Sequence, residues 1–472
     1  MMAREGRLFS HTVVLGASSA LCKIFSLCFL PLLTRALTPA LFGEVEIFLS
    51  TAVLLLPITG FYAPQALFRF YADQERGAVR AGARLLLIGL GITAVLISLF
   101  SRSVGEAYPF LLFFYVGASV LHSFLAQLLR AKGAFGLFAL QQGFCTAATL
   151  LLQLSFLALM PSAVFAYLLG VILGDLITFF ILLIPSWGDL RLCECAPRTL
   201  IWRMLRYALP LIPTALLFWV MTTAERYFLL HFHGERALGI YAAAGRFPAL
   251  IGFACSVFLE VWHYVAIREA GGEGALFDSI FALLLPTLFG AGILLAIAAP
   301  LWVRVFLARE YATAARILPL LSLSAVCAGL SHFLDSVYTV RMHSHFSLGT
   351  ISCAAAFHVL CCFFLIPRGG VMGAALSSAL SFVVLLFLRL WHTARELAFE
   401  RRMGSTFFTL ICFFAFAILY AMGMEISGCI FALGALAIQG RAGLFALRFL
   451  QKRMRLFLCG REKRGKSIEK MP

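Results

Sequence analysis

Apolar positions in this chain fall into long charge-free runs, not into the alternation of a half-buried strand or the one-sided stripe of a soluble helix. Ile47–Phe68, Ala107–Leu129, Ser279–Val303, Met342–Pro367 and Met403–Met424 each exceed the roughly 20 residues that a helix needs to cross about 30 Å of hydrocarbon. Gly133–Gly174 is twice that length and carries Met160-Pro161-Ser162 at its middle, so it reads as two spans joined by a tight turn. The pattern predicts an all-α integral membrane protein of about 14 transmembrane helices. They are placed at 8–34, 44–66, 83–101, 107–129, 133–159, 162–186, 203–230, 237–267, 278–303, 314–340, 345–367, 370–391, 405–424 and 426–445. The first stretch, Leu8–Thr34, is too long for a signal-peptide core and lacks a small-residue cleavage site before Pro31, so it is expected to stay as a span.

Composition sharpens this reading. Of 472 residues, 62% are hydrophobic and 13% charged, too little polar surface to clothe a soluble fold. The net charge of +16 does not point to nucleic acid, because the basic residues sit in short loops and a tail, where they set topology. With the N-terminus inside, about 28 Lys and Arg fall on the cytoplasmic side and about 7 outside, which makes both termini cytoplasmic. Arg389 is counted among the inside cations, and Arg304, Arg309 and Arg316 are the main exceptions. The 13 cysteines lie mostly within apolar stretches and read as small buried hydrophobes, not as a disulfide framework.

The chain also repeats. Leu37-Thr38-Pro39-Ala40-Leu41-Phe42-Gly43-Glu44-Val45 closes the first helical hairpin, and His233-Gly234-Glu235-Arg236-Ala237-Leu238-Gly239-Ile240-Tyr241 closes the seventh-to-eighth, at an offset of about 196 residues. Two six-helix lobes of parallel topology follow from this: 1–190 and 191–400, with a further helix pair at 401–445 and a basic tail at 446–472. Trp187–Trp202 is the linker between lobes. Beyond Gly443, apolar and basic residues interleave as in a helix lying on an anionic leaflet, or in a solvated stop-transfer tail. No loop exceeds about 20 residues, which excludes an appended soluble domain and weighs against a membrane glycosyltransferase or polymerase.

An ionisable side chain at bilayer depth is costly and is expected to face a partner or a polar cavity. Lys23, Asp175, Arg226, Arg246, Glu260 and Asp335 meet that description, with Glu225 as the neighbour of Arg226. Lys23 and Arg246 are candidates to bind an anionic cargo such as a diphosphate, and Arg226 a weaker one. The alternative is that each pairs with a nearby carboxylate such as Glu225, Glu260 or Asp335. Asp175, Glu225, Glu260 and Asp335 are the candidates for coupling to protons or Na⁺, since a desolvated carboxylate titrates readily; Asp175 and Asp335 are equally readable as structural partners of Ser, Thr or Arg. Pro210 and Pro213 are expected to kink the seventh helix and Pro286 the ninth. Cys193/Cys195, His231/His233 and His343/His345 lack a second pair at metal-binding spacing, so no metal site is expected. Nor is there a Walker A sequence or a nucleophile-plus-base constellation, and the chain is read as a cofactor-free non-enzyme.

The stretch from Phe29 to Glu44, with Pro31, Thr34-Arg35, Leu37-Thr38-Pro39 and Phe42-Gly43-Glu44, resembles the amino-terminal signature of polysaccharide flippases. These belong to the multidrug/oligosaccharidyl-lipid/polysaccharide exporter superfamily. Glu225-Arg226-Tyr227-Phe228 followed by Ala237-Leu238-Gly239-Ile240-Tyr241 resembles the start of that family's second lobe, with Glu225 where an Asp often stands. The resemblance implies 12 to 14 helices and a cationic cavity between the lobes. It further implies rocking between inward- and outward-open states, and an undecaprenyl-diphosphate-linked oligosaccharide as cargo in a bacterial cytoplasmic membrane. Membrane lipids and glycan-assembly enzymes are the implied partners. A cation-coupled multidrug exporter is the alternative, disfavoured by central cations where drug exporters for cationic substrates need acidic groups. An integral-membrane glycan-assembly enzyme is the third reading.

Overall fold

The computed structural model describes residues 2–72, 77–101, 107–191, 196–269, 274–340, 344–397 and 400–421. Apart from one 3-10 turn at Arg309–Tyr311, the regular structure of the described residues is α-helix: α1 (Met2–Ala36), α2 (Pro39–Thr59), α3 (Ala63–Ala72), α4 (Ala78–Ser101), α5 (Ala107–Ala131), α6 (Phe135–Leu159), α7 (Ala163–Arg191), α8 (Arg198–Ala208), α9 (Leu211–Gly245), α10 (Ala249–Glu269), α11 (Gly274–Ile297), α12 (Ala299–Phe306), α13 (Ala314–Val340), α14 (Ser344–Leu397) and α15 (Glu400–Ala421). Among the described residues ten helical stretches are long and apolar enough to cross a membrane, two of them, Arg198–Gly245 and His345–Ala394, being 48 and 50 residues long. At 1.5 Å per residue each of these two is long enough for two crossings. Each has a break at a glycine with positive φ, Gly234 (φ 75°) and Gly370 (φ 52°), a conformation that only a residue without a Cβ adopts cheaply. The chain is therefore a multi-pass helical membrane protein. Of the expected spans, 426–445 lies outside the described residues, as does the basic tail.

Several boundaries differ from expectation, each for a local reason. The second helix starts at Pro39 instead of residue 44, because Thr38 caps it, its Oγ1 accepting the Leu41 N–H at 3.4 Å, and proline suits the first helical position. It ends at Thr59, where Phe61 and Tyr62 both take positive φ (42° and 50°) before α3 begins, so the expected span 44–66 is cut. Left-handed backbone in two bulky residues costs about 1–3 kcal/mol each and needs surrounding packing to hold it. The break at Leu209-Pro210 between α8 and α9 is the proline interruption expected of the seventh helix, whereas α11 continues through Pro286. The expected eighth span, 237–267, is divided at Arg246-Phe247-Pro248 between α9 and α10.

The chain forms two compact units. One comprises Met1–Arg246, Leu301–Ala314 and Ala355–Ser377. A buried apolar cluster joins α3, α4, α5 and α8 through Leu67, Leu86, Leu125, Leu128 and Met204. The expected polar linker thus leads into a helix: α8 buries Leu200, Met204 and Ala208 while Trp202 and Arg203 lie on its exposed side. Arg84 donates to the Ala196 carbonyl at 3.2 Å, and Lys132 pairs with Asp189, fastening the same end. The other unit comprises Phe247–Pro300, Ala315–Ala354 and Ser378–Pro472. Its core is aromatic, with Trp262 against Phe277 (4.9 Å) and Phe333 (5.2 Å) and the Trp262 indole N–H donated to Ser336 Oγ at 2.8 Å.

Candidate functional site

Two helices of the first unit, α2 and α9, approach until their backbones touch. A Cβ on Gly43 would lie 2.1 Å from the Glu235 carbonyl oxygen, and one on Gly239 would lie 1.7 Å from that of Pro39. The contact is reciprocal at the offset of the sequence repeat, so the two repeated hairpins pack on one another. Their closeness carries α2 side chains to the basic residues of α9. Glu46, one turn beyond Gly43, accepts from Arg226 Nη1 through Oε1 and from Arg246 Nη2 through Oε2 at 2.8 Å. Arg226 also donates to Ser50 Oγ at 3.0 Å, and Arg246 lies 5.9 Å from the Phe42 ring centre.

The geometry leaves positive charge over. The Glu46 side chain is only 7% exposed, while Arg226 and Arg246 keep 25% and 43% of theirs accessible. One carboxylate serves two guanidinium groups, and Arg226 Nε is buried without an acceptor among the described residues. Lys23 of α1, within Coulombic range of Arg246, is exposed and makes no hydrogen bond or ion pair with the described residues. A lone ammonium at membrane depth calls for an anion. The carboxylate partner anticipated for these cations was Glu225, Glu260 or Asp335; the partner found for both arginines is Glu46.

Glu225 faces away from its neighbour. Its carboxylate accepts the Tyr241 hydroxyl at 3.1 Å and meets His358 Nε2 at 3.1 Å, in a site where His358 is fully buried. Asp175 of α7 accepts from Ser119 and lies 3.1 Å from His122 Nδ1, both on α5, and 3.5 Å from Cys145 Sγ on α6. In the second unit Asp335 pairs with Arg389 at 2.8 Å and accepts from Ser347. Arg389, counted from sequence as a loop cation, is instead buried in α14 and also donates to the Ser331 carbonyl at 2.7 Å. Glu260 belongs to α10, but its side chain lies outside the described set. Sequence reasoning missed Glu46, His122 and His358 and placed Arg389 in a loop; for Glu46 the Thr38-Pro39 helix start was the available signal.

The model of a family described as polysaccharide biosynthesis protein matches residues 8–261, which contain Lys23, Glu46, Asp175, Glu225, Arg226 and Arg246. The chain belongs to this family. Among solved structures, its fold matches the lipid II flippase MurJ in an inward closed conformation. That match has a TM-score of 0.64 and 11% identity, over 95% of this chain and 100% of that one. It also matches an inward-facing multidrug resistance MATE family transporter of the MOP superfamily, with a TM-score of 0.59 and 14% identity over 81% of this chain and 99% of the other. The Vibrio cholerae MATE transporter VcmN, solved as a point mutant, matches at a TM-score of 0.53 and 14% identity, over 83% and 97% of the two chains. At these identities the likeness is one of fold. No curated protein sequence matches the chain.

Proposed function

We propose that this member of the polysaccharide biosynthesis protein family is a flippase that carries an undecaprenyl-diphosphate-linked oligosaccharide across the bacterial cytoplasmic membrane by alternating access, for cell-surface polysaccharide assembly. The observation that carries this reading is the excess of cation over carboxylate at the Lys23, Arg226 and Arg246 group. Glu46 is buried and holds both arginines in place, while the accessible parts of Arg246 and Lys23 present donors to a multiply charged phosphate. The work done on the cargo is electrostatic: the diphosphate exchanges its water shell for fixed cations, and no bond is made or broken.

The reading assigns lobes to 1–190 and 191–400, a helix pair to 401–445 and a cytoplasmic basic tail to 446–472, with both termini inside. The reciprocal Gly43–Gly239 contact supports an approximate two-fold relation between repeats, and the Lys/Arg asymmetry supports the orientation. Ion coupling falls to a carboxylate among Asp175, Glu225, Glu260 and Asp335. Glycan-assembly enzymes on the inner face supply the cargo.

Flipping of a fluorescent undecaprenyl-diphosphate oligosaccharide in proteoliposomes tests the reading. Lys23→Ala and Arg246→Ala are each expected to lower the rate by roughly tenfold or more, the scale of one lost charge-assisted hydrogen bond of about 1.5–3 kcal/mol, with the thermal midpoint retained for Lys23→Ala. A folded wild-type protein that flips no such glycan but drives ethidium efflux would replace the flippase by a multidrug exporter.

A further inference from the structure

We propose that His122, Cys145 and Asp175 form a binding site for a divalent transition-metal ion of borderline softness, Zn²⁺ in the first place, that ties α5, α6 and α7 together. The three side chains come from three successive spans, Pro109–Ala131, Phe135–Leu159 and Ala163–Arg191. They bring an imidazole nitrogen, a thiol sulfur and a carboxylate oxygen to within 4.8 Å of one another. The Nδ1–Oδ1 separation is 3.1 Å and the Sγ–Oδ1 separation 3.5 Å. Tetrahedral Zn²⁺, with bonds of about 2.0–2.3 Å, sets its ligand atoms about 3.3–3.8 Å apart, so small side-chain adjustments suffice. A nitrogen, sulfur and oxygen set suits this class of ion and is a poor match to Na⁺, Mg²⁺ or Ca²⁺, which prefer oxygen.

The surroundings are those of a built site. His122 Nε2 lies 2.9 Å from the Gln141 side-chain oxygen, so a second residue engages that ring nitrogen while Nδ1 faces Asp175 Oδ1. Ser119 donates to Asp175 Oδ2, leaving Oδ1 to face His122 and Cys145. The backbone is held close: a Cβ on Gly174, beside Asp175, would lie 2.1 Å from Thr149 Oγ1, one helical turn from Cys145. The His122 and Asp175 side chains are 17% and 15% exposed. Three protein ligands leave a fourth position for water.

Proton and charge balance permit the exchange. In the form that has Nε2–H donated to Gln141, a second proton bridges the 3.1 Å contact between Nδ1 and Oδ1. Metal binding sends that proton and the Cys145 thiol proton to water, leaving Asp⁻, Cys⁻, neutral His and the dication. The cluster is neutral before and after, which suits a site inside hydrocarbon. The proposal does not depend on the cargo.

The test is a Co²⁺ titration of metal-stripped protein in lipid nanodiscs, carrying Cys193→Ser and Cys195→Ser to remove loop thiols. A near-ultraviolet thiolate-to-cobalt band with tetrahedral d–d absorption is expected, bleached by stoichiometric Zn²⁺. Cys145→Ser is expected to abolish the charge-transfer band, and His122→Gln to weaken binding by tenfold or more while the thermal midpoint without metal stays unchanged. A missing band in the starting protein, or a band that survives Cys145→Ser, overturns the proposal. If Cys145→Ser fails to fold, the His122→Gln affinity decides, and unchanged affinity there counts against it.

Discussion

Glu225 and Arg226 are adjacent in sequence, sit on one helix and end in opposite electrostatic situations. Glu225 faces His358 and Tyr241 in a buried site where one carboxylate meets a donor at each oxygen. Arg226 turns to Glu46, which it shares with Arg246, and the group retains a net positive charge beside Lys23, which has no partner among the described residues. The first arrangement is closed, and holds α9 to α14. The second keeps a surplus of positive charge and is open. Charge in the apolar spans thus divides into groups enclosed with their partners and groups left accessible; burial and partner count tell them apart.

Three substitutions sharpen that contrast, beginning with the most damaging. Glu46→Ala strips both arginines of the carboxylate they share and is expected to cost about 3–5 kcal/mol, seen as a steep fall in the thermal midpoint in nanodiscs together with lost flipping. An unchanged midpoint would mean that solvent or lipid already compensates the arginines. His358→Ala leaves Glu225 with the Tyr241 hydroxyl alone and is expected to cost about 3 kcal/mol. Here the flipping rate per folded molecule should stay near wild type; a specific loss of rate would move this pair from fastening to transport. Gly239→Val drives a side chain into the Pro39 carbonyl and separates α2 from α9, at about 2 kcal/mol. Double-mutant cycles with Glu46→Ala should then be non-additive, because the same helix contact delivers Glu46 to its arginines.

The spans were readable in the sequence because hydrocarbon demands long apolar runs, and the Pro210 interruption because proline removes a backbone donor. The break at Phe61-Tyr62 was not, since nothing in two aromatic residues announces a left-handed backbone that tertiary packing enforces. Lys23, Arg226 and Arg246 stood out as charges in apolar surroundings, and the structure brings Arg226 and Arg246 together on Glu46. Glu46 did not stand out, because a helix start placed at residue 44 left it at the membrane edge. Thr38 and Pro39 shift that start and carry it inward by more than a turn. His122 and His358 escaped notice for a different reason: a neutral imidazole in an apolar run looks like packing until its partner arrives from a helix tens of residues away.

The reciprocal glycine contact has an evolutionary reading. Gly43 and Gly239 obey the symmetry of the repeat, but the charges beside them do not: at the repeat offset Glu46 corresponds to Ala242, Arg226 to Leu30 and Arg246 to Ser50. Two identical subunits meeting through that contact would carry every charge twice. A single chain leaves each half free to differ, so that a symmetric joint supports a one-of-a-kind arrangement of charge.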